Sequence, residues 1–245
     1  MNELVESIRE RYLSTLEKIA DAANRVGRNP DSVKLVVVTK SQPIEVVRAA
    51  IEAGARILGE NYPEEGVTKL QSMAGVSAVE WHMIGHVQSR KAQLVAGNFN
   101  LLHSLDNLKL AKRLDRFCGE AGRSLPTLLE FNLGGEGSKS GWPAWDESQW
   151  PLLLDELSSI IALPNLQVRG LMVMPPLGVD AEFSRPYFQK LKRLQEYLAL
   201  QFPKVNFSEL SMGTSADFEV AVQEGATLVR VGTAIVGVRQ YKTEA

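Results

Sequence analysis

The sequence predicts a single (β/α)8 barrel, or TIM barrel, that spans residues 1–245 as one domain. Short apolar runs of strand-like composition alternate with helix-like runs along the chain, an order typical of a parallel α/β fold. Eight such units in a chain of this length favour a closed barrel over an open sheet. Because no segment rich in Pro, Gly or Ser divides the chain, we expect no second domain within it.

An extra helix is expected before the barrel. Apolar side chains recur at helical spacing near the start of the chain, at Leu4, Ile8, Tyr12, Leu16 and Ile19. Turn residues in segment 26–32 then end this helix.

The eight predicted strands are short apolar runs, several of them rich in β-branched residues, as expected for strands buried on both faces. They are residues 34–40, 56–61, 79–85, 99–106, 126–133, 167–174, 206–212 and 227–232. The predicted helices between them are 43–53, 64–73, 88–95, 108–121, 150–161, 185–201 and 217–224. Segment 134–145 holds four glycines. We expect it to be either a mobile loop at the carboxyl rim of the barrel or a plain surface excursion.

Composition and charge narrow the class of protein. The net charge of -2 gives no electrostatic case for binding nucleic acid or an anionic membrane. The single cysteine, Cys118, forms no internal disulfide, which fits a reducing compartment. The first residues are charged and unlike a signal peptide, and no apolar run approaches membrane-spanning length. We therefore expect a cytoplasmic protein.

Lys40 closes the first predicted strand. Strand alternation places Val36, Val38 and Lys40 on one face. If the valines fill the barrel interior, the lysine reaches the mouth at the carboxyl ends of the strands, where barrel active sites lie. An amine that loses hydration there becomes a nucleophile toward carbonyl groups. The alternative is a lysine that ends its strand in solvent, and position alone favours that alternative.

Two similar turns follow the seventh and eighth predicted strands. ELSMGTSADF (209–218) and RVGTAIVG (230–237) each run from strand through a glycine to a helix. Hydroxyls and backbone N–H groups at a helix N-terminus bind anions, and barrels often bind phosphate after these two strands. Two such turns together favour a phosphate site over the alternative, ordinary helix capping by Ser and Thr.

Arg230 shares its strand face with Gly232, so we expect its side chain in the same mouth, one step deeper. A buried arginine needs an acceptor. A ring nitrogen or a carboxylate of a ligand would serve, and so would an ion pair across the strands with Glu209 or Glu130.

The three histidines do not indicate a metal site. His82 and His86 are four residues apart, but Gly85 and the strand-like run around them make a helical metal pair improbable. The third, His103, stands alone. His82 ends the third predicted strand and is expected at the mouth. No Ser-His-Asp arrangement stands out, and GTSAD is not a nucleophile elbow.

Six motifs resemble the YggS/PROSC family of pyridoxal phosphate homeostasis proteins, and the resemblance extends over nearly the whole chain. They are LVVVTK (35–40), GEN (59–61), WHMIGHVQSRK (81–91), GLMVM (170–174), LSMGTSADFEVAV (210–222) and VRVGTAIVG (229–237). The resemblance implies a barrel like that of alanine racemase, a fold-type III protein of the pyridoxal 5'-phosphate (PLP) class without the C-terminal β domain.

The resemblance also implies roles for individual residues. Lys40 would hold PLP as a Schiff base, and Arg230 would face the pyridine nitrogen. Asn61 and His82 would lie near the ring. The phosphate would be held by Ser211, Gly213, Thr214, Ser215, Gly232 and Thr233. At Thr214 the backbone N–H is expected to matter more than the side chain.

The resemblance implies a PLP-binding protein of vitamin B6 and amino-acid homeostasis, with no established catalysis. An arginine partner leaves the ring nitrogen unprotonated, which weakens carbanion stabilisation. Racemisation also needs proton transfer on both faces of the substrate. In alanine racemases a tyrosine of a second domain supplies the base on one face, and we expect no counterpart of that domain here. We expect a monomer, with PLP-dependent apoenzymes as transient recipients. A weak racemase or other PLP enzyme, and a cofactor-free Schiff-base barrel such as a class I aldolase, remain the alternatives.

Overall fold

A computed structural model describes residues 2–76, 79–137 and 139–238. Its centre is a parallel barrel of eight strands, which confirms the predicted fold class. The strands are β1 (Lys34–Val38), β2 (Ile57–Glu60), β3 (Glu80–Met83), β4 (Leu101–Leu105), β5 (Leu125–Asn132), β6 (Leu166–Val173), β7 (Glu209–Thr214) and β8 (Leu228–Val231). Each strand pairs with the next along the chain, and β1 also pairs with β8, so the sheet closes.

The helices surround this barrel. They are α1 (Asn2–Arg25), α2 (Ile44–Glu52), α3 (Pro63–Ser72), α4 (Ala92–Asn98), α5 (Leu108–Glu120), α6 (Leu154–Ile161), α7 (Arg185–Gln201), α8 (Phe218–Gln223) and α9 (Thr233–Val236). Short 3-10 turns lead into α4, α6 and α7. Among the described residues, no helix is long and apolar enough to cross a membrane.

The barrel interior follows the alternation of the strands. One layer is formed by apolar side chains from five strands, namely Val36, Leu101, Leu128, Met172 and Leu228. The intervening residues face outward and join the larger core against the helices. Val36 therefore fills the interior as predicted, and the same strand face continues through Val38 toward the mouth.

Two strand ends differ from the prediction. β1 ends at Val38, and Lys40 lies in the turn that follows, next to Ser41 with φ 57°. β7 begins at Glu209, later than expected, and extends to Thr214. Its ladder with β8 shifts register between Ser211 and Thr214, so the segment that the sequence predicts as a turn is a bulged strand end.

Helix α1 packs against α2, α8 and α9. Its buried face does not include every apolar residue that the helical spacing predicts. Leu4 and Leu16 are exposed, and Val5 and Thr15 are buried in their place. A spacing of four residues drifts around a helix of 3.6 residues per turn. The buried face follows the helical period and therefore alternates steps of three and four residues.

Candidate functional site

A cavity of about 440 Å3 opens at the carboxyl ends of the barrel strands. It brings together seven of the ten predicted site residues: Lys40, Asn61, Thr214, Ser215, Arg230, Gly232 and Thr233. Val38, Ile84, Gly85, His86, Glu130, Met174 and Ala216 complete the lining. The three predicted residues outside this lining are His82, Ser211 and Gly213.

The two predicted anion turns meet at the cavity. The Gly232 N–H donates to Ser215 Oγ at 3.2 Å, which joins the end of β7 to the end of β8. The first hydrogen bond within α9 runs from the Ile235 N–H to the Gly232 carbonyl. The N–H groups of Thr233 and Ala234 come before it and are not used by the hydrogen bonds of the helix. The hydroxyl of Ser215 and these amides are suited to an anion.

Gly213 supports this turn from behind. Its φ is 90°, and a Cβ there would lie 2.5 Å from Ala221 Cβ and 2.9 Å from Phe218 Cα. Glycine is required because α8 packs directly onto the strand end. The residue shapes the turn, and it is not among the residues that line the cavity.

Thr214 lines the cavity, but its donors are directed elsewhere. Its backbone N–H donates to Asp217 Oδ1 at 2.7 Å, and its hydroxyl contacts the same oxygen at 3.0 Å. Asp217 is buried and caps the turn. In this structure a carboxylate of the chain already accepts the Thr214 N–H, and the expectation that this N–H faces an anion stays a prediction.

Arg230 is buried at the base of the cavity, 4% exposed. Its Nη2 donates to the Val173 carbonyl at 2.9 Å and contacts Met174 Sδ at 2.9 Å, and its Nη1 donates to Ser211 Oγ. Burial lowers the pKa of the guanidinium to about 10, although nearby carboxylates oppose this change. Arg230 stays charged at neutral pH.

The ion pairs considered for Arg230 are not formed within the described part of the chain. Glu209 instead contacts Lys34 Nζ at 3.3 Å and accepts from the Thr227 hydroxyl. Glu130 acts on the guanidinium only as a nearby charge, and the described residues form no ion pair between the two within 4.0 Å. Arg230 is held by neutral acceptors, and its charge remains directed at the cavity.

Ser211 and His82 lie below the cavity in a hydrogen-bonded chain. Ser211 Oγ contacts His103 Nδ1 at 2.8 Å, His103 Nε2 contacts His82 Nδ1 at 3.0 Å, and His82 Nε2 contacts Glu80 Oε2 at 3.3 Å. Alternation explains the position of His82, since Ile84 is the residue on the same face that reaches the mouth. Neither residue lines the cavity, and the expected contacts of His82 with a ring and of Ser211 with a phosphate stay predictions.

The chain of hydrogen bonds has one direction. A carboxylate only accepts, so Glu80 receives the Nε2–H of His82, whose bare Nδ1 then accepts from His103 Nε2–H. Ser211 donates to His103 Nδ1 and accepts from Arg230. Burial lowers the pKa of both imidazoles, that of His103 well below the usual value, so both rings are neutral. This chain of hydrogen bonds contacts the guanidinium of Arg230 from beneath, through Ser211.

Glu130 is a cavity residue that the sequence analysis treated only as a partner for Arg230. It is 8% exposed, and its Oε2 has no hydrogen-bond partner among the described residues. Burial, with help from Asp106, raises the pKa of its carboxyl to about 7. The alternation of β5 contains the signal, because Leu128 fills the interior and Glu130 is the next residue on that face.

His86 was also missed as a cavity residue. Its Nδ1 contacts Asp106 Oδ2 at 2.8 Å and Ser140 Oγ at 3.3 Å. Segment 134–145 thus reaches the rim of the cavity through Ser140, while Trp142–Pro143 adds a short strand beside β5. No group of three or more side chains suited to a metal ion occurs in the described ranges.

The arrangement suits one kind of small molecule. An amine, a buried guanidinium and two joined turns with hydroxyls and amides surround one cavity of a few hundred Å3. Such a set can bind a phosphate ester, contact a heteroaromatic nitrogen and bond a carbonyl group.

Solved structures share this architecture. PipY of Synechococcus elongatus PCC7942, solved with PLP bound, is 37% identical, with a TM-score of 0.80 over 94% of this chain and 100% of that chain. A protein of Bifidobacterium adolescentis is 32% identical, with a TM-score of 0.84 over 96% of each chain. An alanine racemase of Clostridium difficile 630 shares the fold at 15% identity, with a TM-score of 0.68.

Sequence comparison gives the same grouping. Residues 15–240 match the alanine racemase N-terminal domain family. The pyridoxal phosphate homeostasis protein of Vibrio alginolyticus is 39% identical over 97% of this chain and 100% of its own. That of Escherichia coli K12 is 38% identical over 92% and 94%. The chain therefore belongs to the alanine racemase N-terminal domain family and, within it, to the pyridoxal phosphate homeostasis proteins.

Proposed function

We propose that this protein binds PLP in the barrel mouth, attached to Lys40, and serves intracellular vitamin B6 and amino-acid homeostasis without turning over a substrate. The observation that supports it most directly is the single cavity that Lys40, Arg230 and the joined Ser215–Gly232 turn share. The homeostasis role follows the naming of relatives that match the chain over nearly its full length.

The residues present fit this cofactor. The contacts of Arg230 with Ser211, Val173 and Met174 use three of its five N–H groups, so the guanidinium can also donate to a ring nitrogen. Because arginine has no proton to give up near neutral pH, that nitrogen would stay unprotonated. The Ser215 hydroxyl and the amides at the start of α9 would hold the phosphate. Ser211 supports Arg230 from beneath, and the cofactor contacts expected of Ser211 and His82 stay predictions.

The chemistry that PLP supplies when bound is an aldehyde, which condenses with a primary amine with loss of one water and gives a bond that borohydride reduces. Lys40 provides the amine. Asn61 lies on the cavity wall, and a Cβ on Gly85 would come 2.7 Å from its Cα. The glycine therefore allows Asn61 to approach the ring position.

The experiment is reduction of the yellow holoprotein with borohydride, followed by peptide mapping. We expect the pyridoxyl group on Lys40 and no adduct in Lys40→Ala. That variant should still bind pyridoxine 5'-phosphate, which lacks the aldehyde and depends on the phosphate and ring contacts. Lys34→Ala is the matched control, because Lys34 lies at the opposite end of the same strand and is exposed.

Two results would refute the proposal. Wild-type protein that stays colourless at saturating PLP would exclude the cofactor, and trapping of a sugar phosphate instead would favour a cofactor-free aldolase. A pyridoxyl group on another lysine would exclude the role of Lys40.

A PLP-dependent enzyme is the second candidate, and Glu130 favours it. A carboxyl with a pKa of about 7 in the same cavity is suited to proton transfer at neutral pH. Solvent deuterium exchange at the Cα of amino acids, lost in both Lys40→Ala and Glu130→Gln, would support that function. We propose the non-catalytic role because its relatives are named for homeostasis.

The cellular setting belongs to the same proposal. We infer a cytoplasmic monomer of one domain that passes PLP to apoenzymes. Light scattering would measure the oligomeric state. Delivery would be measured by loading the protein with PLP, mixing it with an apoenzyme and following the transfer of PLP. Free PLP at the same concentration is the comparison.

A further inference from the structure

We propose that a buried ionic cluster of Lys69, Glu60 and Glu65 is a positioning device for Lys40, fixing the peptide groups on both sides of it. The inference builds on the proposed attachment of PLP to Lys40. It also gives a role to the glutamate of the GEN motif, which the cavity itself does not use.

The cluster lies between β2 and α3 and contacts the segment before Lys40. Lys69 Nζ donates to the Thr39 carbonyl at 2.6 Å, to Glu60 Oε1 at 2.8 Å and to Glu65 Oε1 at 2.6 Å. These three bonds use all three ammonium donors. The Thr39 hydroxyl donates to Glu60 Oε1 at 2.6 Å. The cluster thus binds both the main chain and the side chain of the residue before Lys40.

The same cluster contacts the segment after Lys40. The Ser41 N–H donates to Glu65 Oε1 at 2.7 Å. The Gln42 N–H donates back to the Thr39 carbonyl at 3.1 Å, which closes a turn with Lys40 and Ser41 at its centre. Lys69 therefore holds the first residue of the turn, and Glu65 holds the peptide group that follows Lys40.

The backbone of this turn is strained. Ser41 has φ 57°, and no other non-glycine residue in the described ranges has a positive φ. A side chain disfavours this left-handed conformation, and such strain persists where the surrounding contacts over-determine it. The bond from Ser41 to Glu65 is the contact that does so here.

The charged composition of the cluster indicates that it positions the turn around Lys40 rather than stabilises the fold. The side chains of Lys69 and Glu60 are 4% and 0% exposed. Burying these charges costs solvation free energy, which burying an apolar pair of similar volume would not. An apolar pair could fill the same space, but it could not accept from the Thr39 hydroxyl or donate to the Thr39 carbonyl. Strand alternation places Asn61 in the cavity and Glu60 on the outer face of the barrel. The GEN motif therefore contributes one residue to the cavity and one to the cluster.

The test compares Glu65→Ala with Glu65→Gln, measuring the rate at which PLP attaches to the protein by its absorbance change. Alanine removes the acceptor for the Ser41 N–H, whereas glutamine keeps an oxygen there. We expect Glu65→Ala to attach PLP about tenfold to a hundredfold more slowly, as misplacement of a reacting group does. Glu65→Gln should stay near the wild-type rate.

The affinity for pyridoxine 5'-phosphate distinguishes a misplaced Lys40 from a general loss of structure in the variant. It should remain unchanged in Glu65→Ala, because the phosphate and ring contacts lie on β7 and β8. Glu64→Ala is the matched control. Glu64 is the preceding residue of α3, is exposed and pairs with Lys91 at 2.7 Å, so its removal should change neither measurement.

Lys69→Met extends the test to the buried cation. It should slow attachment, and the added change Ser41→Gly should recover part of the rate, because glycine adopts a positive φ without a holding contact. An unchanged rate in Glu65→Ala, or equal losses of rate and pyridoxine 5'-phosphate affinity, would overturn the inference. Wild-type protein without a pyridoxyl group on Lys40 would instead overturn the proposed function.

Discussion

Replacing Glu130 with glutamine should change how the stability of the protein depends on pH. In the folded protein the pKa of this carboxyl is about 7, against an ordinary value of 4.5, because burial disfavours its charged form. Between these two pH values the folded state keeps a proton that the unfolded chain has lost. Glutamine has nearly the same shape and does not titrate.

The sign and the size follow from linkage. A pKa that is raised on folding contributes stability that is fully present below about pH 4.5, declines between pH 4.5 and pH 7, and is absent above. At about 1.4 kcal/mol per pH unit, the interval corresponds to about 3 kcal/mol. The free energy of unfolding of Glu130→Gln, relative to wild type, should therefore rise by up to about 3 kcal/mol across this window.

Urea unfolding of both proteins at several pH values measures the difference. The control is Glu196→Gln, an exposed glutamate on α7, for which the difference from wild type should change little over the same range. Parallel pH profiles for wild type and Glu130→Gln would refute the reasoning, since they would show that the buried carboxyl does not retain its proton.

Three further predictions follow from the site. Gly213→Ala should lose about 1–3 kcal/mol of stability in urea unfolding, because its Cβ would press on α8; Gly97→Ala, with open space around it, should stay within about 1 kcal/mol of wild type, and equal effects would refute the packing argument. Long-range 1H–15N NMR should show His103 protonated at Nε2 only, and still neutral at the pH where a free histidine is half charged; a proton on Nδ1 would contradict the direction of the hydrogen-bonded chain. Ser215→Ala should weaken pyridoxine 5'-phosphate binding about tenfold while leaving the affinity for pyridoxine, which has no phosphate, unchanged; a similar loss for both ligands would exclude a phosphate contact.

Local patterns were sufficient for the fold and for part of the site. Strand alternation alone places Val36 in the barrel interior and directs the same face toward Lys40. The glycine and hydroxyl segments predict that the ends of β7 and β8 reach one cavity, although β7 extends farther than predicted, to Thr214. These features depend on residues close together in the chain, so their spacing is visible in the sequence.

The same local patterns do not specify the partners of three residues, His82, Ser211 and Thr214. Ser211 lies beneath Arg230, and Thr214 donates to Asp217. The roles expected of these residues toward a cofactor stay predictions. A motif specifies which groups are near a turn, but not which neighbour uses each donor.

The sequence by itself determined the order of the barrel, the position of Lys40 at its mouth and the meeting of the segments after β7 and β8. Only the tertiary structure decided which buried groups form hydrogen bonds with each other. His103 and Ser211 are 108 residues apart in the chain yet 2.8 Å apart in space, and Thr39 and Lys69 meet across 30 residues. Hydrogen bonds require contact within about 3 Å, and contact between distant segments arises only when the barrel closes and its helices pack.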